Sequence, residues 1–136
     1  MPAPEPLPGI RWWRVIGGGL LLELVLILVA VPFALMGHAA DLQMVIPPVT
    51  LVAALLIGMW VARGAARPVL NAALAGGVAI PLYLLMMLAG LLLAPERADM
   101  RAAFSAAYLL THGFKLLGAA AGGWLVACQR HAPPGR

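Results

Sequence analysis

With 136 residues, of which 63% are hydrophobic and only 10% charged, the chain has too little polar surface to enclose its apolar side chains as a soluble globule. Nine Lys and Arg against five Asp and Glu give a formal charge of +4, but the basic residues are scattered at the ends of apolar runs, a pattern that excludes nucleic acid as the expected partner and points to lipid headgroups. A single cysteine, Cys128, excludes an intramolecular disulfide and any multi-cysteine metal site.

Four apolar runs follow in chain order. The first, residues 15–36, is interrupted only by Glu23 and exceeds the roughly 20 helical residues needed to cross a hydrocarbon core. The second, 45–62, opens near Pro47-Pro48, which suits a helix N-terminus, where a missing amide hydrogen costs nothing. The third, 69–94, contains Pro81, expected to kink the helix unless neighbours satisfy the freed carbonyl. The fourth, 102–128, carries the most polar groups: Ser105, Thr111, His112 and Lys115. No run alternates with period two over its length, and all are too long for barrel strands.

The short connections at 37–44, 63–68 and 95–101 leave little room for an extramembrane domain and make consecutive helices neighbours. The expected fold is an all-α integral membrane protein with four transmembrane helices in an antiparallel bundle. That bundle forms one domain, 11–130, between a proline-rich disordered segment, 1–10, and a tail, 131–136.

Arg11, Arg14, Arg63, Arg67, Arg130 and Arg136 fall on one side, against Arg97 and Arg101 on the other, so the positive-inside rule places both termini in the cytoplasm. Trp12, Trp13, Trp60 and Trp124 fall at that same interface, where indole rings prefer to lie. Arg in place of Lys, with abundant Ala and Gly, suggests a GC-rich bacterial genome and hence a multi-pass protein of the cell inner membrane. A cleaved signal peptide is the competing account of the first run, with Gly37-His38-Ala39-Ala40 as its cleavage site, but the run is long and contains a carboxylate. Glycine pairs opening the first and third spans, and Gly-Trp endings on the second and fourth, leave open a tandem duplication of helical hairpins.

Two opposite charges lie inside different spans. At about 1.5 Å per residue, Glu23 lies roughly 15 Å beyond Trp13 and Lys115 roughly 14 Å beyond Trp124, both close to the midplane of a ~30 Å core. An ionisable group there is costly unless paired or wetted, which makes the pair the candidate centre. Tyr108, His112, Lys115, Ala119 and Gly122 follow one another at helical spacing, with Thr111 and Gly118 flanking, so polar groups share a face with a small-residue surface. Gly118-xxx-Gly122 and Ala119-xxx-Gly123 permit close helix approach, and Gly19, Glu23, Ile27 and Ala30 form a matching stripe on the first span. The expectation is therefore the first helix packed on the fourth, with Gly19, Gly118 and Gly122 at the contact, a dry Glu23/Lys115 pair, and His112 and Thr111 hydrogen-bonding it.

Other features point to no chemistry. His38, His112 and His131 lack metal-ligand spacing, Met86-Met87 reads as packing, and Asn71 reads as an interfacial hydrogen-bonding residue. There is no nucleophile elbow, HExxH, phosphate loop or paired acidic motif, so no catalytic, cofactor-binding or metal-binding residue is expected. Gly17-Gly18-Gly19-Leu-Leu-Leu-Glu23 resembles the first span of the small multidrug resistance transporters, four-helix proteins in which a first-span Glu after a glycine pair binds protons and cationic drugs alternately. The resemblance, which covers one span of four, implies that Glu23 is a coupling residue; Lys115 departs from it, since it would compete with a cationic substrate.

The expected role is that of a small non-catalytic accessory or structural membrane component, centred on Glu23 and Lys115. The alternative is a proton-coupled small-molecule transporter, oligomeric because four helices enclose little cavity. The expected partners are the lipid bilayer and either further copies of the chain or a larger membrane complex.

Overall fold

The computed structural model describes residues 9–38, 41–93 and 105–131, which form four α-helices: α1 (Trp12–Leu35), α2 (Leu42–Ala62), α3 (Pro68–Leu93) and α4 (Ala106–His131). Each expected run overlaps one helix, with residue 94 of the third and residues 102–104 of the fourth outside the described residues. The expectations for the first eight residues, for Arg97 and Arg101 with their loop, and for the tail beyond His131 lie outside the described residues.

Helices α1, α2 and α3 are long and apolar enough to cross a membrane. α4 is as long as α3, at 26 residues, but less apolar, because Thr111, His112 and Lys115 interrupt it. Side-chain placement is that of a membrane protein. Small residues point inward, with Ala54, Ala62, Ala72, Ala75, Ala79 and Ala119 buried, while Leu28, Leu35, Leu92, Leu93 and Leu117 are outside and more than half exposed. Lipid tails are as apolar as leucine, so the large side chains gain nothing by turning inward, whereas small ones let backbones approach.

Two helix ends depend on glycine. α1 stops at Gly37 (φ 77°), where His38 N–H bonds back to Phe33 O at 2.9 Å, and α2 stops before Gly64 (φ 73°), where Ala65 N–H bonds to Ala62 O at 3.1 Å. Both glycines hold the left-handed conformation that other residues avoid. α2 begins at Leu42, earlier than its prolines suggest, so Pro47 and Pro48 lie inside the helix and leave the carbonyls of Gln43 and Met44 without helical donors.

Around the bundle the order is α1, α2, α4, α3. α4 packs most extensively on α2 and next on α3, α1 contacts α3 and α2, and α2 meets α3 across the short diagonal. α1 and α4 occupy the long diagonal and are not packed on each other, which corrects the expectation of a direct α1–α4 interface. Glycine geometry explains the order. A methyl at Gly118 would stand 2.7 Å from Leu51 O, and one at Gly122 2.8 Å from Met59 N, so both expected packing glycines seat α4 on α2. Gly123 meets Ala72 and the Pro68 carbonyl of α3, and Gly19 meets Ala75 and Val78 of α3 rather than any residue of α4.

One end of the bundle is tight. Arg14 Nη1 donates to Arg63 O at 2.5 Å, Arg130 donates to Ala65 O at 2.7 Å, and Trp13 meets Trp60 edge-on with centroids 6.3 Å apart. Asn71, fully buried, accepts from Arg11 N–H at 2.8 Å and donates to Gly9 O and Arg67 O. It therefore fastens the segment before α1 to the start of α3, a larger role than the interfacial one expected. The far end is looser: the buried residues of α1 stop at Leu26 and those of α3 at Ala79, and Pro32 and Pro81 follow.

Candidate functional site

The two intramembrane charges meet. Lys115 Nζ lies 2.5 Å from Glu23 Oε1, and the two residues are 1% and 4% exposed, so the pair is buried where either charge alone would be costly. Because α1 and α4 are diagonal, Lys115 spans the bundle to reach its partner. Gly76 of α3 makes this possible: a methyl there would collide with the Lys115 carbonyl, so α3 admits the α4 backbone only with glycine at that level. One turn on, Gly118 lets α4 approach Leu51 of α2. The lysine is thus rooted between α2 and α3, and its long side chain points at α1.

An aromatic group surrounds the pair on the side away from the basic end. Lys115 Nζ sits 5.1 Å from the centroid of the Tyr83 ring, within cation–π range. Tyr83 and Tyr108 centroids are 4.8 Å apart, and His112 lies 5.3 Å from Tyr83 and 5.7 Å from Tyr108. His112 Nδ1 is buried without a hydrogen-bond partner among the described residues. Thr111, expected to hydrogen-bond the pair, instead donates to Ala107 O of its own helix at 2.8 Å, the ordinary use of a buried helical hydroxyl. Of the predicted polar centre, then, Glu23, Lys115, His112 and Tyr108 are brought together, while Thr111 is adjacent but self-satisfied.

Tyr83 was not singled out from sequence. Its phenol is the sole strongly polar side chain in the second half of α3, two residues after Pro81, and that isolation was the available signal.

The pair adjoins a cavity. A cavity of about 270 Å³ begins at Glu23 and Lys115 and runs between all four helices past Tyr83 and His112 to Gln43 and Ser105 near the far ends of α2 and α4. Beyond Leu26 it lies where α1 and α3 have no fully buried residues left, so most of it is the space that the looser far end leaves. Its walls are mainly apolar, with polar groups concentrated at its base, a lining that suits a small-molecule or water-holding site. No group of three or more His, Cys, Asp or Glu among the described residues is placed to hold a metal ion.

Fold and site together define a helical membrane protein with a buried, cavity-lining ion pair. Comparison with protein-family models, with curated proteins and with solved structures finds no match.

Proposed function

We propose that the chain is a small multi-pass protein of the bacterial inner membrane with a non-catalytic accessory or structural role, its consecutive helices antiparallel and both termini in the cytoplasm. The observation that carries this is the buried Glu23–Lys115 pair bridging the long diagonal. A charge pair placed there braces the two helices that are not otherwise packed on each other, and it fixes the depth of α1 relative to α4. The orientation is supported by Arg11, Arg14, Arg63, Arg67 and Arg130, all at one end with the tryptophans. Further copies of the chain or another membrane protein are the natural cover for the far halves of α1 and α3, where no side chain is fully buried within the chain.

A double-mutant cycle tests the brace. Glu23→Leu and Lys115→Leu should each lower stability in detergent by about 3–5 kcal/mol, because each leaves a buried charge alone, and the double leucine variant should recover most of that loss. Additive losses would remove the brace.

The cavity favours one other function, a proton-coupled transporter of small molecules acting as an oligomer, since Glu23 and Lys115 both line it. In that case Glu23→Gln would leave folding intact yet abolish coupled uptake in proteoliposomes. Unchanged proton flux in that variant would leave the structural role standing alone.

A further inference from the structure

We infer that the basic end of the bundle is a binding site for the phosphate of an anionic phospholipid headgroup. Five guanidinium groups gather around the loop between α2 and α3. Arg63 and Arg67 belong to the loop, Arg11 lies against Gly64, Arg14 donates to Arg63 O, and Arg130 donates to Ala65 O and Ala62 O. Carbonyl oxygens satisfy N–H groups but cancel no charge.

Among the described residues the only carboxylates are Glu23, committed to Lys115, and Asp41, which lies beside His38 at the far end. The side chains of Arg11, Arg63 and Arg67 have no hydrogen bond or ion pair within the described protein, and Arg14 Nε is buried without a partner. α1 and α3 start here with no acidic residue in the first turn, while α2 and α4 end here, so the helix ends largely cancel one another and the arginines carry the positive charge. The described residues thus assemble planar, multiply donating cations at this end with no carboxylate among them to neutralise the charge.

The shared chemistry is a phosphate, and the surroundings select the lipid-borne form. Arg14 stacks over Trp13 at 4.9 Å, Trp12 and Trp13 are exposed at the start of α1 and Trp124 is exposed in the last two turns of α4, and Ile16 and Leu20 are exposed one and two turns deeper on α1. A headgroup phosphate held by the arginines would lay its glycerol and acyl chains along that apolar face. A free phosphate would leave it unused.

The inference rests on the bundle crossing a bilayer, but not on the Glu23–Lys115 brace, which the test below leaves intact. The full chain, exchanged into dodecyl maltoside micelles containing equimolar dioleoylphosphatidylglycerol and dioleoylphosphatidylcholine, should retain phosphatidylglycerol by at least about fivefold over phosphatidylcholine after washing. Arg11→Gln/Arg63→Gln/Arg67→Gln should bring the ratio near one, with an unchanged melting temperature in phosphatidylcholine micelles. The wild-type ratio should also fall as sodium chloride rises, a measurement that needs no variant. Retention without preference, preference insensitive to salt, or full preference in a folded triple variant would each overturn the site. Displacement of phosphatidylglycerol by glycerol 1-phosphate at equal concentration would show a phosphate site with no lipid selection and would overturn it too.

Discussion

Two glycines of α4 that look alike in sequence should respond oppositely to the same change. At Gly122 an added methyl would stand 2.8 Å from Met59 N and closer still to Leu55 O, both backbone atoms of α2 that cannot turn aside. Relief requires the helices to part by roughly 0.5–1 Å, which forfeits about a quarter to a half of the dispersion energy along the contact. Overpacking of this kind costs about 1–3 kcal/mol, against about 1 kcal/mol gained from replacing glycine by alanine in a helix. Gly122→Ala should therefore be less stable than wild type by up to about 2 kcal/mol on those terms. At Gly113 the added methyl meets nothing within 4 Å, so only the helical gain remains and Gly113→Ala should be more stable by up to about 1 kcal/mol. Equilibrium unfolding in mixed micelles of rising dodecyl sulfate fraction, followed by tryptophan fluorescence, measures both. Equal shifts, or a stabilised Gly122→Ala, would refute the close α2–α4 contact.

Asn71→Leu removes the buried side chain that joins Gly9, Arg11 and Arg67; a loss of about 2–4 kcal/mol and faster tryptic cleavage after Arg11 are expected, and an unchanged cleavage rate would deny the clamp. In a Cys128→Ser background, Ile27→Cys and Ala30→Cys, which line the cavity, should react with a membrane-impermeant maleimide, whereas Leu28→Cys, which is 64% exposed on the lipid side, should not. Equal reactivity at the three positions would show that the cavity gives no separate aqueous route. Asp41→Cys should be labelled from outside intact cells and Ala66→Cys only after lysis; the reverse pattern would invert the orientation.

The spans and the charge pair were legible in the sequence because both follow from one-dimensional quantities. The length of an apolar run sets the helix, and counting residues from the tryptophans puts Glu23 and Lys115 at a matching level along the bundle. The outer side of α4 was legible for a similar reason, with Leu109 63% exposed and Gly118 and Gly122 buried. Neighbour order was not legible. Gly118-xxx-Gly122 and Ala119-xxx-Gly123 are offset by one residue and look like a single face, yet the first meets α2 while Gly123 meets α3. A one-residue offset turns a helix by about 100°, so two small-residue frames can serve two partners, and neither frame says which. The length of lysine hid the rest. An ion pair between adjacent helices and one across a diagonal leave the same trace in sequence, and the difference was decided by Gly76, whose importance lies in the backbone it admits.

Glycine and proline divide the bundle between them, and the pair stands at the division. From the basic end to the level of Lys115, Gly18, Gly19, Gly58, Gly76, Gly118, Gly122 and Gly123 all bring backbones or small side chains into close contact. Beyond it, Gly90 and Gly113 face open space, and Pro32, Pro47, Pro48 and Pro81 interrupt the hydrogen bonding of three helices. In lipid no hydrophobic force draws the far halves together, so they close only where packing allows, and the packing ends there. Lys115 is consequently rooted in the most tightly held part of the fold while its ammonium faces the least constrained part. A brace needs the first condition and a binding site needs the second, which is why the pair can be both buried by 96% or more of its surface and still form the floor of a cavity.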